Sequence, residues 1–325
     1  MWTPDDRTQT RRRLITRRGA LVRARTRAKN QVHAVLQRNL LGRPPVCDLF
    51  GGRGRAWLAE QIVALPLDER LSVDAGLRQV DFLAGELEQL DRILGADALS
   101  DRDALRLMTI PGLSVVTAIA LLAAIGDIGR FATPRQLVAY LGLDPRVQQS
   151  GTQPAKHGRI SKQGAAEVRS LLVEAGWQTT RTPGPLRAFH ERIAKRRGSK
   201  IATVATARKL VVIAWHLLSR GEHYAFARPA LYREKLRRIE LLLGAPRHQG
   251  RSPSGQRLLK TDQRRAEREI AAQHERAYQR MVADWQASRP AATRIDARAE
   301  TVGAGATPGR ASHRPSRGKA ARQTP

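Results

Sequence analysis

The chain has 325 residues, with 58 Lys and Arg against 29 Asp and Glu, so its formal net charge is +29. This length favours two or three structural units, and the charge excess is typical of proteins that bind polyanions. The hydrophobic content of 41% excludes wholesale disorder, whereas the aromatic content of 4% argues against a stacking platform for single-stranded bases. A single cysteine, Cys47, excludes an internal disulfide and a multi-cysteine metal site.

The charge is segregated along the chain. Residues 1–30 hold ten Lys or Arg and two Asp or Glu, whereas residues 60–101 hold three and ten. Residues 145–220 hold fifteen basic and three acidic residues, and residues 246–325 hold seventeen and seven. Solubility alone does not require three basic blocks around one acidic block. The sequence shows no secretory signal and no stretch long enough to span a membrane. We therefore expect a soluble cytoplasmic protein that binds nucleic acid, with a basic membrane-surface protein as the weaker alternative.

Helical periodicity dominates the sequence and predicts a mainly α fold without an extended sheet. The glycines at 51–54 predict a flexible loop, and Pro and Gly signals set several of the helix ends. The predicted helices are Thr8–Leu41, Arg55–Leu65, Leu71–Leu94, Val115–Ile125, Arg135–Leu141, Ala165–Thr180, Pro185–Arg197, Lys200–Ser219 and the charged segment Leu258–Trp285.

We divide the chain into four parts. Residues 1–45 form a basic linker helix, and residues 46–100 form a helical region that pairs with it and protrudes. Residues 101–228 form a compact helical domain. Residues 229–325 are expected to be a basic tail that is largely disordered, because Ser, Pro, Gln, Gly and Arg dominate its composition.

The segment Leu71–Leu94 carries apolar residues at heptad spacing. This pattern indicates either a coiled coil between subunits or an amphipathic helix packed inside one subunit. The first alternative implies a homo-oligomer, whose seam would contain Val80, Leu83, Leu87 and Leu90.

Two stretches of the compact domain have the chemistry to contact a phosphate. The first stretch has a helix, a turn at Pro111-Gly112 and a second helix, which is the layout of a helix-hairpin-helix element. The backbone amides of such a turn suit a phosphate, although a Pro-Gly pair is more often only a turn. In the second stretch Pro154 excludes a helix, and Ser150-Gly151 is a common turn pair that could also project a nucleophilic hydroxyl. The cations that we expect to bind nucleic acid are Arg146, Lys156, Arg159 and Lys162 near this serine, and Arg11, Arg12, Arg17, Arg18 and Arg25 on the first helix. The carboxylates of the domain are scattered, so we expect no metal site and no cofactor in this chain.

Several motifs in order resemble the C-terminal domain of the insertion-sequence-110 family of transposases, relatives of the Piv-type site-specific invertases. The motifs are Met108–Leu113, Gln149-Ser150-Gly151, Gly158–Gly164 and Ala207–Leu210. The resemblance implies a DNA transposase or recombinase that acts with a structured RNA. It also implies that Ser150 is the nucleophile on DNA and that Gly151 supports its loop.

Members of that family begin with a ribonuclease-H-like domain that carries four carboxylates for divalent metal. The sequence starts at the basic linker, so we expect a chain that lacks this domain and is inactive alone, with divalent metal needed only by the missing part. The alternative function is a non-catalytic nucleic-acid-binding protein, or a regulator of a full-length relative.

Overall fold

The computed structural model describes residues 2–152, 154–246 and 254–288, without the side chains of residues 157 and 254–260. These residues form eleven α-helices and one two-stranded hairpin, so the prediction of a mainly α fold is confirmed. The first structural unit ends at Tyr278. The second begins at Gln279, and its described part is the last turns of one helix.

The elements follow the predicted order closely. They are α1 (Asp6–Arg38), α2 (Gly52–Gln61), α3 (Leu67–Leu99), α4 (Arg102–Met108), α5 (Val115–Ile125), α6 (Pro134–Tyr140), β1 (Pro145–Gln148), β2 (Lys156–Ile160), α7 (Ala166–Thr179), α8 (Pro185–Arg197), α9 (Ser199–Arg220), α10 (Pro229–Leu242) and α11 (Ser254–Ala287). Side-chain caps set several starts: Asp5 accepts from the amide of Thr8, and Thr133 and Gln136 form a capping box before α6.

Helices α1 and α3 pack against each other as an antiparallel pair inside one chain. Ion pairs join Arg11 near the start of α1 to Asp97 near the end of α3, and Arg38 at the end of α1 to Glu69 at the start of α3. The heptad residues Val80, Leu83, Leu87 and Leu90 are at most 6% exposed. The pattern therefore marks an amphipathic helix packed within one subunit. The prediction of an oligomer seam through these residues is wrong, because their surface is already buried in the chain.

The acidic block also acts within the chain, since α3 presents carboxylates to the arginines of α1. Arg18 donates to Asp91 at 2.6 Å, and Arg17 approaches Glu86 at 3.2 Å. The segregated charges of the sequence thus meet across the α1–α3 pair, and the acidic block neutralises one face of the basic helix.

The main core is centred on α5, in which every residue from Thr117 to Ile125 is buried. Helix α9 packs against α4, α6, α7 and α8 around it. Both ends of the expected compact domain differ from prediction, because Ile15, Leu94 and Ile239 belong to the same core. A smaller core that includes Val35 and Leu58 lies under α2.

Among the described residues, one helix, α9, is long and apolar enough to cross a bilayer by length and composition, and half of its most apolar window is buried in the protein. A buried core helix has the same composition, and α9 contributes fully buried Ala207, Leu210 and Ala214 to the core. Its apolar character is therefore explained by packing.

Three predictions about local structure need correction. The glycines expected to form a loop include Gly52 and Gly54, which lie in the first turns of α2. The expected tail contains α10 and α11 within the described residues, and Ile239 of α10 is only 3% exposed. A hairpin stands where only loop was expected. Of the expected disordered tail, residues 247–253 and 289–325 lie outside the described residues.

Candidate nucleic-acid interface

The candidate site is a two-stranded hairpin that projects from the helical core. Strands β1 and β2 are antiparallel, with the pairs Pro145–Ile160 and Gln148–Lys156 and an irregular register near Pro145. Ser150 and Gly151 lie in the connecting loop, both exposed, and Gly151 has a φ of 54°. A left-handed φ favours glycine. The structure therefore places the serine hydroxyl at the exposed end of the hairpin.

The hairpin brings the predicted cations together around this serine. Arg146, Lys156, Arg159 and Lys162 are all exposed. Arg146 donates to the carbonyl of Ser161 at 3.2 Å, and no ion pair of these four side chains is formed within the described part of the chain. Even the apolar residue Val147 of β1 is 52% exposed, so packing into a core does not explain the residue types found in the strands. The positive charge of the four cations therefore remains available to an external anion.

Three further residues hold the base of the hairpin, and sequence analysis assigned them no role. Asp144, directly before β1, pairs with Arg208 of α9 at 3.0 Å. Arg169 of α7 donates to the carbonyls of Leu141 and Gln163 at 3.1 and 3.4 Å. Arg169 thus ties together the chain entering and the chain leaving the hairpin. The sequence shows these as isolated charges, and only the fold shows that they meet.

Gly164 is expected to be essential for the base of the hairpin, whereas Gly151 is not. At Gly164, with φ of 83°, an added Cβ would lie 2.2 Å from the carbonyl oxygen of Tyr140, whereas at Gly151 it would meet nothing within 4 Å. We expect Gly151→Ala to cost about 1 kcal/mol of unfolding free energy, from its left-handed φ alone. Gly164→Ala should cost at least twice as much, measured by denaturant unfolding. Equal costs would contradict the close approach at the hairpin base.

The Pro111-Gly112 turn joins α4 to α5 as predicted, but it packs against other elements. An added Cβ at Gly112, whose φ is 90°, would lie 2.8 Å from the carbonyl oxygen of Ala175 and 2.9 Å from Cγ2 of Thr179. This close approach to α7 explains the glycine without a ligand. Lys235 of α10 donates to the carbonyls of Met108 and Ile110 at 2.7 and 2.9 Å. The phosphate contact expected at this turn stays a prediction.

Lys235 gives the protein a testable pH dependence, because burial lowers its pKa to about 8. An unfolded lysine titrates near 10.4, so the unfolded state binds the proton more tightly between these values. Stability should therefore rise with pH across this window, by about 2 kcal/mol between pH 7 and 10. The measurement is the unfolding free energy of wild type minus that of Lys235→Met at each pH. A difference that stays constant with pH would contradict the burial of the charge.

The arginines predicted on α1 divide into two groups. Arg11 has only 9% of its side chain exposed and pairs with Asp97 and Asp101, both at 2.6 Å. Arg12 donates to the carbonyl of Ala123 at 2.7 Å, near the end of α5, where a cation is favourable. The prediction that Arg11 binds nucleic acid is wrong, because its guanidinium is buried and already paired with Asp97 and Asp101.

Arg12 and Arg18 likewise have internal partners, and Arg18 keeps only 22% of its side chain exposed. Arg17 differs, since 64% of its side chain is exposed despite its contact with Glu86. Arg25 is half-buried. Arg17 and Arg25 remain predictions for nucleic-acid contacts.

The ionised form of Asp101 is stabilised by this cluster. Burial alone would raise its pKa, but hydrogen bonds from Arg11 and from the amides of Ala104 and Asp103 outweigh burial, so the pKa lies below its ordinary value. Burial likewise works against the charge of Arg11, and the hydrogen bonds to Asp97 and Asp101 raise its pKa. Both groups therefore remain charged at neutral pH.

Within the described residues, no group of three or more His, Cys, Asp or Glu side chains is placed to hold a metal ion. A divalent metal therefore does not fit the residues around the hairpin.

Part of the chain that contains this site resembles known proteins. Residues 104–191 match the model of the Transposase IS116/IS110/IS902 family. The matched range contains the hairpin, Ser150 and the bases of both strands. The matched segment is similar to this transposase family.

Individual relatives agree with the family match. The chain is 30% identical to the transposase for insertion sequence element IS1111A of Coxiella burnetii, over 65% of this chain and 59% of that protein. It is 31% identical to a probable family 20 transposase of Pseudomonas aeruginosa, over 64% and 62% of the two chains. A pilin gene-inverting protein of Moraxella bovis is 32% identical over 36% of this chain and 37% of its own. The chain thus spans about three fifths of the length of the two transposases.

Proposed function

We propose that this chain binds DNA and exchanges its strands as part of a transposase or site-specific recombinase, with the hydroxyl of Ser150 as the nucleophile. One observation carries the proposal. Ser150 lies at the exposed end of a hairpin that displays four cations without ion pairs in the described chain, inside the range that matches the transposase family. The names of the relatives, transposases and a gene-inverting protein, support the same reaction class.

The reaction is an exchange of phosphate esters. Oγ of Ser150 attacks the phosphorus, an O–P bond to the protein forms, and the bond from phosphorus to one bridging oxygen of DNA breaks. The serine proton passes to solvent, and the departing oxygen takes up a proton and leaves as a DNA hydroxyl. A free hydroxyl of another strand then reverses these steps and releases Ser150. Because one ester replaces another, no nucleotide hydrolysis is needed.

The cations of the hairpin supply electrostatic stabilisation. Attack on a phosphodiester concentrates negative charge on its non-bridging oxygens, and nearby guanidinium and ammonium groups stabilise that charge. Arg146 and Arg159 offer planar, bidentate donors, and Lys156 and Lys162 offer compact charges. Arg169 and Arg208 are positioning residues, since they hold the base of the hairpin and lie away from its end.

Several partner assignments belong to the same proposal. We assign duplex DNA as the substrate, a structured RNA as a second partner, and the nucleoid of the cytoplasm as the location. We assign no cofactor to the described residues. A divalent metal, as the family resemblance implies, would be held by a different domain.

The test is a covalent adduct trapped in cells that express the protein from its native locus, so that the element's own RNA and DNA ends are present. Denaturing immunoprecipitation followed by nuclease digestion then reveals DNA joined to the protein. Adduct on wild type that depends on Ser150 supports the proposal, and recombination without any adduct contradicts it.

A second function is favoured by the same exposed cations, which suffice for binding without chemistry. In that case the protein occupies DNA as a non-catalytic regulator. Chromatin occupancy with neither an adduct nor recombination would favour this function over the nucleophile.

A further inference from the structure

A second cationic surface lies at the turn between α8 and α9, outside the hairpin. Lys195, Arg196, Arg197 and Lys200 are all exposed there, and none of them forms an ion pair within the described chain. The acidic side chain of α8, Glu191, faces Arg187 at 3.6 Å instead. We name these four residues the α8–α9 turn cluster.

Helix electrostatics explain only part of this cluster. Cations in the last turn of α8 are favourable, because the carbonyl end of a helix is partially negative. Lys200 lies in the first turn of α9, where the partially positive amide end disfavours a cation. The cluster thus combines three neighbouring cations, a fourth in an adverse position and a positive helix end. A bound anion would reduce the repulsion among these four cations.

Some exposed arginines elsewhere in the described chain form ion pairs. Arg92, Arg238 and Arg265 each lie one helical turn from a glutamate, at 2.6, 2.5 and 3.5 Å. The turn cluster differs from these sites in that four neighbouring cations lie together without a carboxylate partner in the described chain.

Helix α9 connects the cluster to the hairpin. Lys200 and Arg208 are separated by eight residues, or about 12 Å along the helix axis. Arg208 contacts Asp144 at the base of β1, and Lys209 beside it is exposed. Cations therefore stand at both ends of this stretch of α9, and its far end reaches the strand that leads to Ser150.

We propose that the α8–α9 turn cluster binds the phosphate backbone of the duplex DNA that flanks the position attacked by Ser150. This inference rests on the proposed function, because it takes DNA as the partner. Backbone binding fits the cluster, since arginine and lysine side chains are frequent donors to the phosphate oxygens of DNA. A length of 12 Å corresponds to about three to four base pairs at 3.4 Å each.

The experiment compares two triple variants with equal loss of charge. The test variant is Arg196→Gln, Arg197→Gln and Lys200→Gln, and the matched control is Arg92→Gln, Arg238→Gln and Arg265→Gln. The full chain is titrated with a fluorescent mixed-sequence DNA duplex at several salt concentrations, and a hydroxyl-radical footprint is recorded. Circular dichroism and thermal melting verify that each variant is folded.

We expect the test variant to bind the duplex at least tenfold more weakly at moderate salt. The log–log salt dependence should fall by about two to three units, because each lost phosphate contact removes nearly one. The footprint should shorten by about three to four base pairs on one side. The control should retain most of its affinity and its full footprint. Without DNA, the test variant should melt within a few degrees of wild type, since the substituted side chains are exposed.

Each other outcome overturns the inference. Unchanged affinity and footprint would show that the cluster does not contact DNA, and an equal loss in the control would show an effect of net charge alone. Weaker binding of a structured RNA hairpin with unchanged duplex binding would assign the surface to RNA. The proposed chemistry is tested independently of this surface. If the test variant loses duplex affinity and wild type forms no adduct at Ser150, the DNA-binding role of the turn cluster is supported and the nucleophilic role of Ser150 is contradicted.

Discussion

Ser150→Ala is expected to abolish the covalent protein–DNA adduct and recombination together, each by more than about 1,000-fold, because the attacking oxygen is removed. The side chain is exposed at the end of the hairpin, so the substitution should change the unfolding free energy by less than about 1 kcal/mol. DNA affinity should also stay near that of wild type, since the cations around the serine remain. The measurements are adduct recovery under denaturing conditions, recombination at the native locus and duplex affinity of the purified chain.

Ser161→Ala is the matched control for this substitution. Ser161 lies at the base of the same hairpin, where its backbone amide donates to the carbonyl of Asp144 and its carbonyl accepts from Arg146. Neither contact uses the hydroxyl, so recombination should persist in this variant. Recombination that persists in Ser150→Ala would remove Ser150 from the mechanism. Loss of activity in both variants would indicate that the hairpin structure is the sensitive property.

Arg11→Met is expected to give the largest loss of stability among single changes in α1, about 2 to 3 kcal/mol. The substitution fills similar space but leaves Asp97 and Asp101, whose side chains are 22% and 13% exposed, without their shared guanidinium. An uncompensated, largely buried carboxylate is costly, so removing one member of such a cluster destabilises strongly. Arg7 still contacts Asp97 at 2.8 Å, which limits the loss. Arg13→Met, on the exposed side of the same helix, should change stability by less than about 0.5 kcal/mol.

The Arg11 effect should also depend on pH in a defined direction. Because the folded-state pKa of Asp101 is lowered, the stabilisation is complete above the unfolded value of about 3.9 and disappears as the pH falls through the folded value. The stability difference between wild type and Arg11→Met should therefore be constant near neutral pH and shrink below about pH 4. A difference that grows on acidification, or equal stability of the two proteins at pH 7, would contradict the cluster.

Local sequence signals determined most of the helices. The bounds of Val115–Ile125 and Pro185–Arg197 agree with the predicted ones, because the signals that set them, a Ser114 cap and a proline at the first helical position, act within a few residues. The loop of Ser150 and its basic neighbours were also visible in the sequence, since glycine spacing and side-chain charge are local properties. The hairpin strands were missed because both of their faces are exposed, so no alternation of apolar and polar residues marks them.

Long-range pairing was decided only by the tertiary structure. A heptad pattern indicates that one face of α3 is buried but does not identify the element that covers it. In the fold, α1 of the same chain packs against this face. The arginines of α1 and those of the α8–α9 turn look alike in the sequence, yet Arg11 is neutralised by Asp97 and Asp101, whereas Arg196 and Arg197 meet no carboxylate in the described chain. The physical reason is that a charge is available to a ligand only if folding leaves it solvated and unpaired, and both conditions depend on residues far away along the chain.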